Sequence, residues 1–248
     1  MRPALLLALA LAAMLVAPPA ARAQGGAVST AAQFPNDVHT KAGMTCASCH
    51  GTTTPGTVSA ANVCAECHVR EADLFKASPK KKIFEDLGQP ACLACHPNHE
   101  ITPPQDTWVG LQDGAVCAQC HDATTRGSTT ILAMRRQFDE LATATASADG
   151  VLTRAERAGM LVDDGRRALR EAREHQVHAR ALLHGFSATP VADAAAQGTA
   201  ASRRALEAGE AAMRELQVRR RGLGLATLVI LAFLVVLAAK IRHLPPHP

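Results

Sequence analysis

The sequence has no tyrosine, a single tryptophan (Trp108) and six phenylalanines, so aromatic residues make up only 3% of its 248 positions. At that composition a core built from side chains alone would be thin. The length allows one or two small domains and excludes a large enzyme core. Cysteine is absent from both ends, yet eight cysteines fall between Cys46 and Cys120. Charge is absent from Leu223 to Ala239, and across the whole chain neither sign dominates, with 26 Lys and Arg against 22 Asp and Glu.

Both ends carry membrane signals. Met1-Arg2 is a short positive start, Ala4 to Val16 is apolar, Pro18-Pro19 breaks the run, and Ala21-Arg22-Ala23 reads as a cleavage site. The expectation is a signal peptide over 1–23, with an uncleaved N-terminal anchor as the alternative. The uncharged run from Leu223, followed by Lys240 and Arg242, is of spanning length and predicts one transmembrane helix over 222–241 with a cytoplasmic tail at 242–248. The other reading, a buried helix, does not need so long an apolar stretch. With the body exported, this topology places the protein in a bacterial inner membrane with a single pass and its main domain in the periplasm. Arg219, Arg220 and Arg221 then lie on the outer flank, against the positive-inside rule, where they suit lipid phosphates.

Between the two signals, 24–38 is a small, polar linker. Residues 39–125 hold all the cysteines, with Gly, Pro and Thr, and little regular structure is predictable there. From about 126 the character changes. Ile131, Met134, Phe138 and Leu141 recur at helical spacing. Asp149-Gly150 reads as a turn or helix break, and the pattern resumes through Leu152, Ala155, Gly159, Val162 and Leu169. His184-Gly185 is a stop, and Thr189-Pro190 is a cap and first-turn proline for a second long helix running to Arg221 and on into the span. Gly222 and Gly224 stand at the junction. The expectation for 126–221 is an all-α helical hairpin or stalk.

The chemistry lies in four pentapeptides: CASCH at 46–50, CAECH at 64–68, CLACH at 92–96 and CAQCH at 117–121. C-x-x-C-H is the attachment pattern for c-type haem. Two thiols spaced by two residues match the two vinyl groups of the ring, and the next residue lies beneath the iron as its proximal imidazole ligand. The thioether residues are therefore Cys46, Cys49, Cys64, Cys67, Cys92, Cys95, Cys117 and Cys120, and the proximal ligands are His50, His68, His96 and His121. Zinc held by paired CxxC knuckles and disulfides within each pair both leave a histidine after every pair unexplained. With 11 histidines in the chain, that coincidence has a chance of roughly a few in a million. Four covalently bound haem c groups would supply the missing core and staple the chain, so the apoprotein is expected to be largely unfolded. Their propionates add roughly eight negative charges, which outweighs the formal +4, turns the holoprotein mildly acidic and removes any charge argument for a nucleic-acid partner.

From His39 to His121 the chain resembles the small multihaem c-type cytochromes of the class III type, and the whole layout resembles their membrane-anchored tetrahaem members. The resemblance implies distal ligands. A histidine before the first motif matches His39, and one just after a motif, in CHPNHEI, matches His99. The helix end ARALLHGF resembles a segment that folds back onto the haems, which makes His184 the third. His178 is a weaker fourth. Where such proteins carry a Ser-x-His upstream of the third motif, this sequence has Ser78-Pro79-Lys80, so Lys80 is either an amine ligand or, with Lys81 and Lys82, part of a solvated loop or docking patch. For each histidine the alternative is an exposed surface residue. Met44 and Met134 are poorer candidates.

These features together predict a membrane-anchored electron carrier rather than an enzyme. It would transfer electrons between membrane quinol-linked donors and downstream redox partners, such as a terminal reductase or further cytochromes. The alternatives are a quinol dehydrogenase subunit for a terminal reductase, although the tetrahaem proteins of that kind usually carry their anchor at the N-terminus, and a small-oxyanion reductase or haem sensor working at one incompletely ligated haem.

Overall fold

The computed structural model describes residues 34–51 and 60–243. The expected leader, most of the linker and the residues after His243 lie outside the described residues. Among the described residues there is no strand, and two regions differ sharply in how they are held together.

The N-terminal region contains short helices: α1 (Val38–Lys41), α2 (Cys46–His50), α3 (Ala60–Cys67), α4 (Val69–Ala77) and α5 (Pro79–Asp86). Three 3₁₀ turns follow, Ala91–Ala94, Asp106–Trp108 and Cys117–Gln119. Regular structure is thus more extensive here than the sequence suggests, but it comes in short pieces, from a single turn to about two and a half turns. Each C-x-x-C-H begins in, or closes, such a turn, which carries the two cysteines three apart onto one face. Side-chain burial is sparse. Of the described residues 34–125, only Asp37, Ser78, Val109, Gly110 and Ala115 are buried.

The C-terminal region is a three-helix bundle: α6 (Ser128–Arg157, 30 residues), α7 (Asp163–Leu182) and the first half of α8 (Ala188–Arg242, 55 residues). This corrects the expected two-helix hairpin. Asp149-Gly150 does not break α6, because Ala148 and Leu152 keep the helix face buried and continuous. The break comes at Gly159, whose positive φ of 81° closes the helix, with the Met160 N–H donating to the Ala155 carbonyl at 3.0 Å. Arg166 then ties α7 back to α6 through Asp149, Thr153 and Glu156. At the other turn the cap of α8 is Ser187, two residues before the expected Thr189.

Beyond Ser128 at its first position, the buried positions of α6 are Ile131, Met134, Phe138, Leu141, Thr145, Ala148, Leu152 and Ala155. They alternate three- and four-residue steps, the heptad spacing of a coiled-coil seam. The facing positions of α8 are small, including Ala194, Gly198, Ala201, Ser202, Ala205 and Gly209, so its backbone packs close to its neighbours. The one polar pair inside, Thr145 and Ser202, is mutually hydrogen-bonded at 3.0 Å. A β-carbon at Gly198 would lie 2.9 Å from Leu141 Cδ1 and 3.1 Å from His175 Cβ. Gly198→Leu is therefore expected to overpack the seam and cost about 1–3 kcal/mol, read as a lower melting temperature of the helical circular-dichroism signal.

α8 runs through Gly222 and Gly224 without interruption, and every residue from Gln217 to His243 is exposed. Its apolar stretch is long enough to cross a membrane and wholly unburied, consistent with a single span.

Candidate haem centre

Each C-x-x-C-H histidine lies beside a side chain from elsewhere in the chain that carries a nitrogen able to ligate a metal. His50 stacks on His99 with ring centres 6.2 Å apart and planes 24° apart. His96 stacks on His184 at 6.1 Å and 18°. His68 meets His39 at 5.9 Å with planes 82° apart. The Nε2 of His121 lies 2.9 Å from Lys80 Nζ. Two metal–nitrogen bonds of about 2.0–2.1 Å separate opposed nitrogens by about 4 Å and their ring centres by about 6 Å. The three histidine pairs have that spacing, and the region around them lacks a side-chain core, so these residues fit c-type haem. Beside His96 an open cavity of ≈ 370 Å³ is lined by Cys95, Thr102, Trp108 and Val116 among others.

Local structure aims each ligand. Asp37 caps α1, accepting from the backbone N–H of His39 at 2.8 Å and of Thr40 at 3.1 Å, while its other oxygen accepts from the Ile101 N–H at 2.8 Å. The Val38 N–H donates to the Ile101 carbonyl at 2.8 Å. One buried carboxylate thereby stitches the segment carrying His39 to the segment carrying His99. Burial alone would raise its pKa, but those backbone donors and His39 hold it below the usual carboxylate value. Phe34 stacks on His99 at 4.8 Å and 6°.

His184 stands on the 3₁₀ turn Leu183–Gly185 that ends α7. Its Nδ1 lies 3.0 Å from the Ala181 carbonyl. A carbonyl can only accept, so Nδ1 is the donor here and Nε2 is the nitrogen that would face a metal. Burial, reinforced by His184 and His68, holds His96 below the ordinary imidazole value, in the neutral form that ligates. The Trp108 ring meets His96 edge-on at 6.0 Å. Asp106, on the same turn as Trp108, accepts from Arg180 Nε and Gln176 Nε2, each at 2.7 Å, and so clamps this region to α7.

The thiols adjoin in sequence order. Burial pushes the Cys49 thiol up, with Asp37 and then Cys67 adding to it. Burial does the same for Cys64, which also hydrogen-bonds the Cys92 side chain, and for Cys95, where Cys117 adds and Lys80 opposes. The first motif therefore borders the second, the second the third, and the third the fourth.

His178 is not brought to a C-x-x-C-H histidine by any described interaction. It lies on α7, where burial, then Arg70 and His175, lower its pKa. Met134 is in the bundle core at 2% exposure. Sequence reasoning missed Asp37 and Asp106. Asp37 had a local signal, an acidic residue one position ahead of a short helix. Asp106 had none, because both of its partners lie about 70 positions away.

No curated protein and no solved structure matches the chain. Residues 38–125, which contain all eight cysteines and the first seven of the paired ligands, match the model of the family described as Cytochrome c3, and this supports a multihaem c-type cytochrome with covalently bound haem that serves electron transfer.

Proposed function

We propose that the protein is a tetrahaem electron carrier of the periplasm, held at the bacterial inner membrane by α8, passing electrons from quinol-linked donors in the membrane to downstream redox proteins. The observation that carries this reading is the pairing of His50, His68 and His96 with His99, His39 and His184. When bound, each haem supplies a one-electron iron couple. Two imidazoles on each iron, His50 with His99, His68 with His39 and His96 with His184, would leave no site for substrate there, which favours a carrier over an oxyanion reductase. The residues do the rest: the thiols fix each ring, Asp37 and the Ala181 carbonyl orient the distal imidazoles, and the bordering motifs support a path running from first to fourth.

The bundle argues against direct quinol oxidation. The cytochrome region packs at the α7–α8 turn, where Gly185 approaches Leu74 and Phe186 lies 6.4 Å from Phe75. From Ala188 to Leu223, α8 rises about 50 Å at 1.5 Å per residue. A helical stalk of that length keeps the haems out of tunnelling reach of a quinol in the bilayer, so a second redox protein must bridge the gap. The test uses the full-length holoprotein in liposomes, with absorbance of the reduced haem as the readout. Dithionite should reduce it at once, whereas a quinol analogue confined to the bilayer should reduce it negligibly without an added quinol-oxidising complex. Fast and complete reduction by the quinol alone would overturn the stalk reading and restore the quinol dehydrogenase.

A further inference from the structure

Three of the C-x-x-C-H histidines face a histidine, while the fourth, His121, faces an amine. The Lys80 Nζ lies 2.9 Å from His121 Nε2, the nitrogen a proximal ligand presents to iron. We propose that Lys80 is the sixth ligand of the iron held by His121, so that the fourth centre is a histidine–lysine haem. This rests on the reading of all four motifs as haem sites.

Of the three neighbouring lysines, Lys80 behaves differently from the other two, and that difference carries the argument. Lys81 pairs with Glu85 at 3.1 Å and Lys82 with Asp86 at 3.0 Å, both on the exposed face of α5. Those two are surface residues, as a solvated patch requires. Lys80 instead turns inward and has no acidic partner among the described ion pairs. Its amine is walled by the rings of Phe84 and Phe186, whose centres lie 5.7 and 5.9 Å away. Phe186 comes from the α7–α8 turn that also presents His184, so the same fold-back closes both the third and the fourth centre.

The origin of the Lys80 side chain is also fixed. Ser78, only 8% exposed, caps α5: its Oγ accepts from the Lys80 N–H at 3.3 Å and donates to the Phe75 carbonyl at 2.7 Å. Pro79 occupies the first turn, where its ring presets the helical φ. Opposed nitrogens across a metal stand about 4 Å apart. Lys80 therefore needs to withdraw by about 1 Å, which a four-carbon stem absorbs by rotamer adjustment. Of the other imidazoles, His178 is brought to His121 by no described interaction, and the rest of those near the motifs face other partners. His39, His99 and His184 each face another motif, and His175 sits beside Glu171 and against Gly198 of α8.

The experiment is electron paramagnetic resonance of the oxidised holoprotein, with haem per chain quantified in the same samples. Wild type should carry four haems, all low-spin. Lys80→Ala and Lys80→Arg should each turn about a quarter of the haem iron high-spin at unchanged haem content, since guanidinium keeps the charge but has no lone pair to give. Lys80→His should return that quarter to low-spin and shows that the variants still fold. Unchanged low-spin spectra in the alanine and arginine variants, or a high-spin quarter already present in wild type, would overturn Lys80 ligation while leaving four haems intact. Fewer than four haems in wild type would instead overturn the underlying reading of the motifs.

Discussion

His184→Ala is expected to convert about a quarter of the ferric haem from low-spin to high-spin, raise the reduction potential of that centre, and loosen the cytochrome region from the bundle. The electronic part follows from the pairing. His184 lies 6.1 Å from His96 with nearly parallel planes, and the Ala181 carbonyl engages its Nδ1, which leaves Nε2 as the nitrogen free to face a metal. Removing that nitrogen opens the sixth position of the third centre, and a lost imidazole donor destabilises the ferric state relative to the ferrous. The mechanical part follows from the location. His184 is the proposed ligand that comes from the bundle, on a turn that contacts the cytochrome region through Leu74 and Phe75, so ligation of the iron would tie the two regions together. Without it, Asp106 with Arg180 and Gln176 remains the main polar clamp. The spin change is read by electron paramagnetic resonance and the loosening by faster proteolysis near Gly127. Added imidazole should restore the low-spin spectrum. His178→Ala is the control and should leave it unaltered. An equal change in both variants would remove His184 from the ligand set.

Replacing all eight cysteines by alanine is expected to unfold one half of the described chain and spare the other. The bundle buries Phe138, Met134, Leu141, Leu152, Leu169 and Val191 almost completely, and its seam needs no cofactor. Among the described residues of 34–125 only two apolar side chains are buried, Val109 and Ala115, and the helices there are 4 to 9 residues long. Helices shorter than about 12 residues are marginal in water without packing partners. With no thioether links the rings that would pack against them are not held, so folding of this region is coupled to haem attachment. The earlier expectation of a largely unfolded apoprotein is thereby narrowed to its N-terminal half. Hydrogen exchange should show protection persisting over 128–212 and lost over 34–125. Uniform protection, or cooperative loss of both regions, would contradict this division.

How much was legible in the sequence differs between the two regions. The heptad spacing on α6 is written in adjacent residues, so Ile131, Met134, Phe138 and Leu141 are recognisable as one face. The extent of that face is not, because Asp149 and Gly150 look like a break. Only their neighbours in space, Arg166 and the small residues of α8, keep the helix whole. Likewise the small residues of α8 look like a generic Ala-rich helix, and their role as the close-packed side of a third helix depends on what lies opposite.

The cysteine and histidine pentapeptides were legible in the sequence alone, since the thioether attachment and proximal ligation proposed for them are local chemistry whose spacing is set by the ring. The same holds for the apolar run at Leu223 to Ala239. The distal shell was decided by the tertiary structure, because a sixth ligand is defined by proximity across the chain. His39 and His68 are 29 positions apart, and His96 and His184 are 88 apart. Lys80 is the sharpest case. Read along the chain it is one of three lysines that look alike. Only the inward turn of its side chain toward His121, while Lys81 and Lys82 pair with acids outside, distinguishes it.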